Sequence, residues 1–142
     1  MFFIDDIYIG YEVNQHIHIT EKMHNDFCKL SGDDSPIHTD SEFSKRSNYK
    51  APIGYAFLLT TLLSRIYGKV FPGGSELCLS QECNFKSVYY IGDLLLFYLK
   101  VIQINKEFKL ITISVKVTNQ DNKIIFTGKS IMKIILGENE SF

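Results

Sequence analysis

The second half of the chain reads almost entirely as strands, and this constrains the fold more than any other feature. Over residues 108–118, Ile111, Ile113, Val115 and Val117 occupy one face of a period-two pattern, and Thr112, Ser114, Lys116 and Thr118 the other. Such alternation marks a strand with one face on a core. Asn119-Gln120-Asp121-Asn122 then predicts a hairpin turn, and a last strand follows over 123–136. Residues 94–104 read as a strand apolar on both faces, set off from the segment before it by Gly92-Asp93. Earlier still, Leu77, Leu79, Cys83 and Phe85 share one face of a strand, with Glu76, Ser80, Glu82 and Asn84 opposite.

A sheet of this kind needs something apolar to close on. One helix supplies it. Pro52 suits a first helical position. Ile53, Ala56, Phe57, Leu59, Thr60, Leu63, Ile66 and Tyr67 then form a wide face, with Gly68 as the C-terminal cap. Leu58 and Leu62 add apolar groups elsewhere, so this helix is expected to be mostly buried. Before it, residues 11–19 alternate weakly, as an edge strand would. Thr20 reads as the N-cap of a short helix over 21–30, with Met23, Phe27 and Leu30 at helical spacing. Residues 31–40 read as a loop and Ser41–Arg46 as a helical turn. The expected fold is α+β, with a single domain over 1–142.

Composition narrows the function classes. The chain has 142 residues, a formal net charge of −1 and no basic block, which argues against nucleic-acid and membrane-surface partners. Its longest apolar runs are far too short to span a bilayer. The N-terminus reaches Asp5 and Asp6 without a basic region and does not read as a signal peptide. Cys28, Cys78 and Cys83 contain no C-x-x-C pair and are odd in number. They read as buried free thiols in a reducing cytosol, so the expected location is cytoplasmic. His16 and His18 lack a carboxylate partner for a metal and read as a solvated face, so no metal site is expected. His24 reads as an exposed helix residue. Gly73-Gly74 reads as a turn, because no phosphate-loop lysine follows. Lys45, Arg46, Lys50, Arg65, Lys69 and Lys86 read mainly as solvated charge.

The candidate chemistry lies on Ser31-Gly-Asp33-Asp34-Ser35-Pro36-Ile37-His38. Pro36 stiffens this loop and is expected to exclude a regular helix. A carboxylate and an imidazole on a rigid loop can face one cleft and move protons. Taken alone, the loop has a commoner use: Asp33 or Asp34 binding backbone amides in a turn.

Beyond the loop, Phe27 through Asp40 resembles the signature of the MaoC-like dehydratases and R-specific enoyl-CoA hydratases. Ala51-Pro-Ile-Gly-Tyr-Ala-Phe-Leu58 resembles the start of that family's central helix, and Phe85 through Asp93 its strand ending in a Gly-Asp turn. Asn119-Gln120-Asp121 and Gly128 fall where the family places a turn and a late glycine. The resemblance implies a hot-dog fold, an antiparallel sheet wrapped around a long central helix. It implies Asp33 and His38 as the catalytic pair. The Ala56 backbone N–H would be the oxyanion donor, and Ser35, Gly54, Tyr55 and Phe57 would be substrate contacts. Ala56, Tyr55 and Ser35 stand where the family usually has glycine, histidine and asparagine. The substrate implied is an acyl thioester of coenzyme A or an acyl carrier protein, with no other cofactor, and the assembly implied is a homodimer or higher homo-oligomer. Strands 94–104 and 108–118 are candidates for its covered edge. Two other functions stay open: a hot-dog thioesterase, and a non-catalytic acyl or carrier-protein binding module.

Overall fold

The computed structural model describes residues 1–135. After a 3-10 turn at Ile4–Asp6, the elements run β1 (Glu12–His18), α1 (Glu21–Ser31), α2 (Pro36–Thr39), α3 (Ser41–Arg46) and α4 (Ala56–Lys69). They continue with β2 (Glu76–Gln81), β3 (Asn84–Phe85), β4 (Leu94–Asn105), β5 (Leu110–Thr118) and β6 (Ile124–Ile134). The expected strand end at 136 lies outside the described residues.

The described strands form one antiparallel sheet in the order β1-β4-β5-β6-β2, with β3 also on β6. The period-two residues of β5 carry the core. Ile111, Ile113, Val115 and Val117 are all buried. In register beside them stand Leu99, Val101, Phe97, Phe126 and Met132. These side chains meet Leu58, Leu59, Leu62, Leu63, Ile66 and Tyr67 of α4 in one apolar cluster. The sheet therefore wraps the long helix, as the hot-dog fold requires.

Several expectations are corrected. The strand predicted from Leu77 to Phe85 is two strands, and a register shift between Cys78 and Ser80 breaks its alternation. Leu77 and Leu79 are exposed on this edge strand. Cys78 is exposed too, and Cys28 and Cys83 are half-buried, though all three are free thiols. The strands at 94–104 and 108–118 are interior to the sheet, each paired on both sides. Its edges are β1 at one end and β2 at the other.

The central helix does not start at Pro52. Ile53 N–H donates to Ile37 O at 3.1 Å and Gly54 N–H to Tyr89 O at 2.6 Å. The segment is thus held extended until Tyr55, which is the N-cap. Phe57, counted on the apolar face, is 64% exposed. The helix also continues through Gly68 to Lys69, closed by Val70 N–H on Ile66 O. In α1, Leu30 is 83% exposed and His24 only 3% exposed, the reverse of expectation. The inner face of that helix is displaced toward His24, Phe27 and Cys28.

Thr20 caps α1 as predicted, its hydroxyl accepting from Met23 N–H at 3.2 Å. Thr20→Ala is expected to destabilise the protein by about 1 kcal/mol, read as a lower urea midpoint at unchanged slope. Among the described residues, no helix is long and apolar enough to cross a membrane.

Candidate active site

The loop expected over 31–40 contains a single helical turn, α2, and Pro36 starts it. Proline is tolerated there because a first-turn N–H has no intrahelical partner to lose. The turn is tied on both sides. Thr39 Oγ1 donates to Asp34 O and Ser35 O, each at 3.1 Å, and Ser44 Oγ donates to Ile37 O at 3.2 Å.

His38 projects from this turn. Its Nδ1 lies 2.8 Å from Ile53 O. A carbonyl only accepts, so Nδ1 carries the hydrogen, and in the neutral ring Nε2 is the acceptor. Nε2 lies 4.0 Å from Asp33 Oδ2. Asp33 accepts from Ser35 N–H at 3.2 Å and from the Ser35 hydroxyl. The Ser35 hydroxyl first, then its N–H, and the nearby His38 hold the Asp33 carboxyl below the usual carboxylate range. The Asp33 carboxylate and His38 Nε2 therefore face each other across one gap.

The lowered Asp33 pKa ties its protonation to stability. Its native state binds fewer protons than the unfolded chain, so its contribution to stability holds above the unfolded pKa. That contribution is lost as pH falls through the lower folded value. Ser35→Ala is expected to raise the Asp33 pKa toward about 3.9, measured by carboxyl-carbon NMR titration. An unchanged titration would remove Ser35 from the explanation.

Asp33, His38, Gly54, Ala56 and Phe57 line one cavity of about 430 Å³. Its far wall is the segment from Phe85 to Tyr89, which holds the site contacts that sequence reading missed. Gly54 is there because Tyr89 packs against it. A Cβ at position 54 would lie 2.3 Å from the Tyr89 ring. A wider groove of about 620 Å³, over Leu77, Leu79, Phe108 and Ile135, contains no histidine.

Ser35 and Tyr55, expected as substrate contacts, do not line the cavity. Ser35 is committed to Asp33. Tyr55 is 2% exposed and lies beneath His38, with ring centroids 4.0 Å apart and planes at 26°. Its hydroxyl donates to Asp33 O at 2.5 Å, and Tyr89 donates to Tyr55 O at 2.6 Å. Burial pushes the Tyr55 phenol well above its ordinary pKa, so it stays a donor. No side chain caps α4, so its first N–H groups stay open to another acceptor where Ala56 meets the cavity. Among the described residues, no group of three or more metal-type ligands occurs.

The MaoC like domain family matches residues 7–123, most of the chain. The protein belongs to this family. Among its MaoC-like relatives, the (R)-specific enoyl-CoA hydratase of Aeromonas caviae is 27% identical over 108 residues, covering 76% of this chain and 81% of the relative. The 3-hydroxybutyryl-CoA dehydratase of Methylorubrum extorquens is 24% identical over 108 residues, covering 76% and 68%. The unliganded R-hydratase PhaJ1 from Pseudomonas aeruginosa superposes with a TM-score of 0.87 at 23% identity, covering 98% of this chain and 94% of that one. The expected hot-dog architecture is the one observed.

Proposed function

We propose that this MaoC-like protein is a hydro-lyase. It adds water to, or removes water from, the C2–C3 bond of an enoyl or (R)-3-hydroxyacyl thioester. The observation that carries this reading is the geometry of the pair. The Asp33 carboxyl is held low and His38 has its Nδ1 hydrogen committed to Ile53, so with the imidazole neutral two acceptors face one gap of 4.0 Å. A water about 2.8 Å from each would span them at about 90°, near its own bond angle, with both hydrogens engaged. Its lone pairs then face the cavity, which is the orientation a nucleophile needs.

In hydration, the water oxygen bonds to C3 and C2 gains a proton. One water proton passes to the pair, and the pair returns a proton to C2. Dehydration reverses the sequence: the C2 proton leaves, and the C3 hydroxyl departs as water. Acid and base roles belong to the pair, since coupled groups share their titration. Charge develops meanwhile on the thioester oxygen. The uncapped start of α4, at Ala56, supplies N–H groups and the positive end of a helix dipole to meet it. Gly54 and Phe57 complete the contacts proposed from this side of the cavity. The oxidation level of the substrate does not change, so no cofactor is proposed beyond the thioester carrier.

The test is incubation with crotonyl-CoA and with a crotonyl acyl carrier protein, following enoyl absorbance and free thiol together. Loss of absorbance without thiol is the expected result, and the two substrates compared identify the carrier. Thiol release would make the protein a thioesterase. Binding of the thioesters without either change would make it a binding module. We also propose a homodimer. Support comes from the exposed Leu77, Leu79 and Ile135 beside the open β2 edge, since such an edge calls for cover. A monomeric mass in sedimentation would end that reading. A cytoplasmic location is proposed with it, supported by the three free thiols and tested by cell fractionation.

A further inference from the structure

Asp33 and His38 share a device that their side chains do not reveal: each has its backbone carbonyl held by a buried side chain. Tyr55 holds that of Asp33 at 2.5 Å. His24 holds that of His38, with Nε2 2.9 Å from the oxygen. Because a carbonyl only accepts, His24 Nε2 carries the hydrogen. Its Nδ1 has no hydrogen-bond partner among the described residues. A buried polar atom left unmatched carries a desolvation cost.

An imidazole with one unmatched nitrogen is an expensive way to fill a buried space; leucine would do it without a polar group. An aromatic ring covers one side. The His24 ring lies 4.7 Å from that of Tyr55, and Phe27 packs against Tyr55 at 4.8 Å. What the imidazole adds is one hydrogen bond, and it goes to the residue that carries the candidate base. The α2 turn is four residues long and has few bonds of its own, so outside contacts set its orientation. His38 is then fixed at three points: its carbonyl by His24, its Nδ1 by Ile53 and its ring face by Tyr55.

We propose that His24 is a positioning residue for the reaction, holding the His38 carbonyl so that Nε2 stays aimed across the gap to Asp33. The inference rests on the hydro-lyase reading. Three variants test it. Leucine fills the site without a donor. Asparagine keeps an amide on an arm one bond too short. Glutamine places an amide N–H at the same number of bonds as Nε2.

His24→Leu and His24→Asn are expected to lower kcat on crotonyl-CoA about tenfold or more, with KM within about twofold, because a small misplacement of a reacting group slows chemistry steeply. His24→Gln is expected to return within about threefold of the wild type, since its amide restores the donor. If leucine prevents folding, the asparagine and glutamine variants still decide the matter. A second reading is independent of turnover. The His38 Nδ1–H proton resonance should be sharp in the wild type and His24→Gln, and broadened by exchange in the other two. Wild-type kcat in both His24→Leu and His24→Asn, a loss carried by KM alone, or a glutamine variant as slow as asparagine would overturn the proposal. If the wild-type protein leaves enoyl thioesters untouched, the hydro-lyase reading fails instead. The proton resonance then still decides whether His24 holds His38, and an unchanged resonance in His24→Asn overturns it.

Discussion

Asp33→Asn is expected to lower turnover on an enoyl thioester at least ~100-fold while leaving the fold intact. Asparagine has the shape of aspartate, and its Oδ1 can still accept from the Ser35 N–H and hydroxyl, so the loop keeps its form. The atom facing His38 becomes an amide nitrogen, a donor where the carboxylate was an acceptor. A water in the gap must then accept from residue 33, which turns a lone pair away from C3. A 100-fold loss corresponds to about 2.7 kcal/mol of transition-state stabilisation, the scale expected of a positioned proton acceptor. His38→Ala is expected to lose at least as much, but it also leaves Ile53 O without its donor and uncovers Tyr55. The asparagine variant is therefore the cleaner experiment. Steady-state rates alongside circular dichroism provide the check. Near-wild-type activity in either folded variant would sink the assignment of the pair.

The readings that succeeded share a physical cause. Strand β5 was legible because one of its faces is buried along its length, so its side chains alternate. The N-cap at Thr20 was legible because it depends on residues three apart. Edge strand β2 was legible as a strand, but neither its buried face nor its end was. It lies at the end of the sheet with Leu77 and Leu79 exposed, so hydrophobicity there does not report the core. The start of α4 was misplaced at Pro52 because the competing partners, Ile37 O and Tyr89 O, are far away in sequence. The same limit hid the support beneath the site. Asp33 and His38 are five residues apart and were visible as a pair. Their partners Tyr55, Ile53 and His24 come from two other segments, and hydrogen bonds of 22, 15 and 14 residues' separation leave no local pattern. On α1 two helical faces compete. Spacing of His24 with Phe27 and Cys28 is as helical as Met23 with Phe27 and Leu30, and composition alone favours the more apolar set.

Two glycine-to-alanine substitutions should move stability in opposite directions, and the difference tests how β2 passes into β3. Gly128 sits on β6 opposite Val115, in the row that includes Leu99. The chain between β2 and β3 crosses directly over it. A Cβ at 128 would fall 2.0 Å from Glu82 O and 3.1 Å from the Phe126 ring. Glu82 cannot withdraw freely, because its N–H donates to Lys129 O at 2.7 Å. Relief of the clash must break that bond or lift β3, whose Phe85 lines the cavity. Overpacking costs about 1–3 kcal/mol and a lost backbone hydrogen bond about 1 kcal/mol more. Gly128→Ala is accordingly expected to destabilise the protein by about 3 kcal/mol and to raise KM through Phe85. Gly68 is the counterpart. It lies inside α4, and a Cβ there would meet nothing within 4 Å. Alanine reduces the freedom of the unfolded chain without a native clash, so Gly68→Ala should stabilise by about 0.5–1 kcal/mol. Urea unfolding of both variants at equal slope measures the pair. A Gly128→Ala protein as stable as Gly68→Ala would mean that the crossing over β6 is not packed as described, and the far wall of the cavity would have to be redrawn.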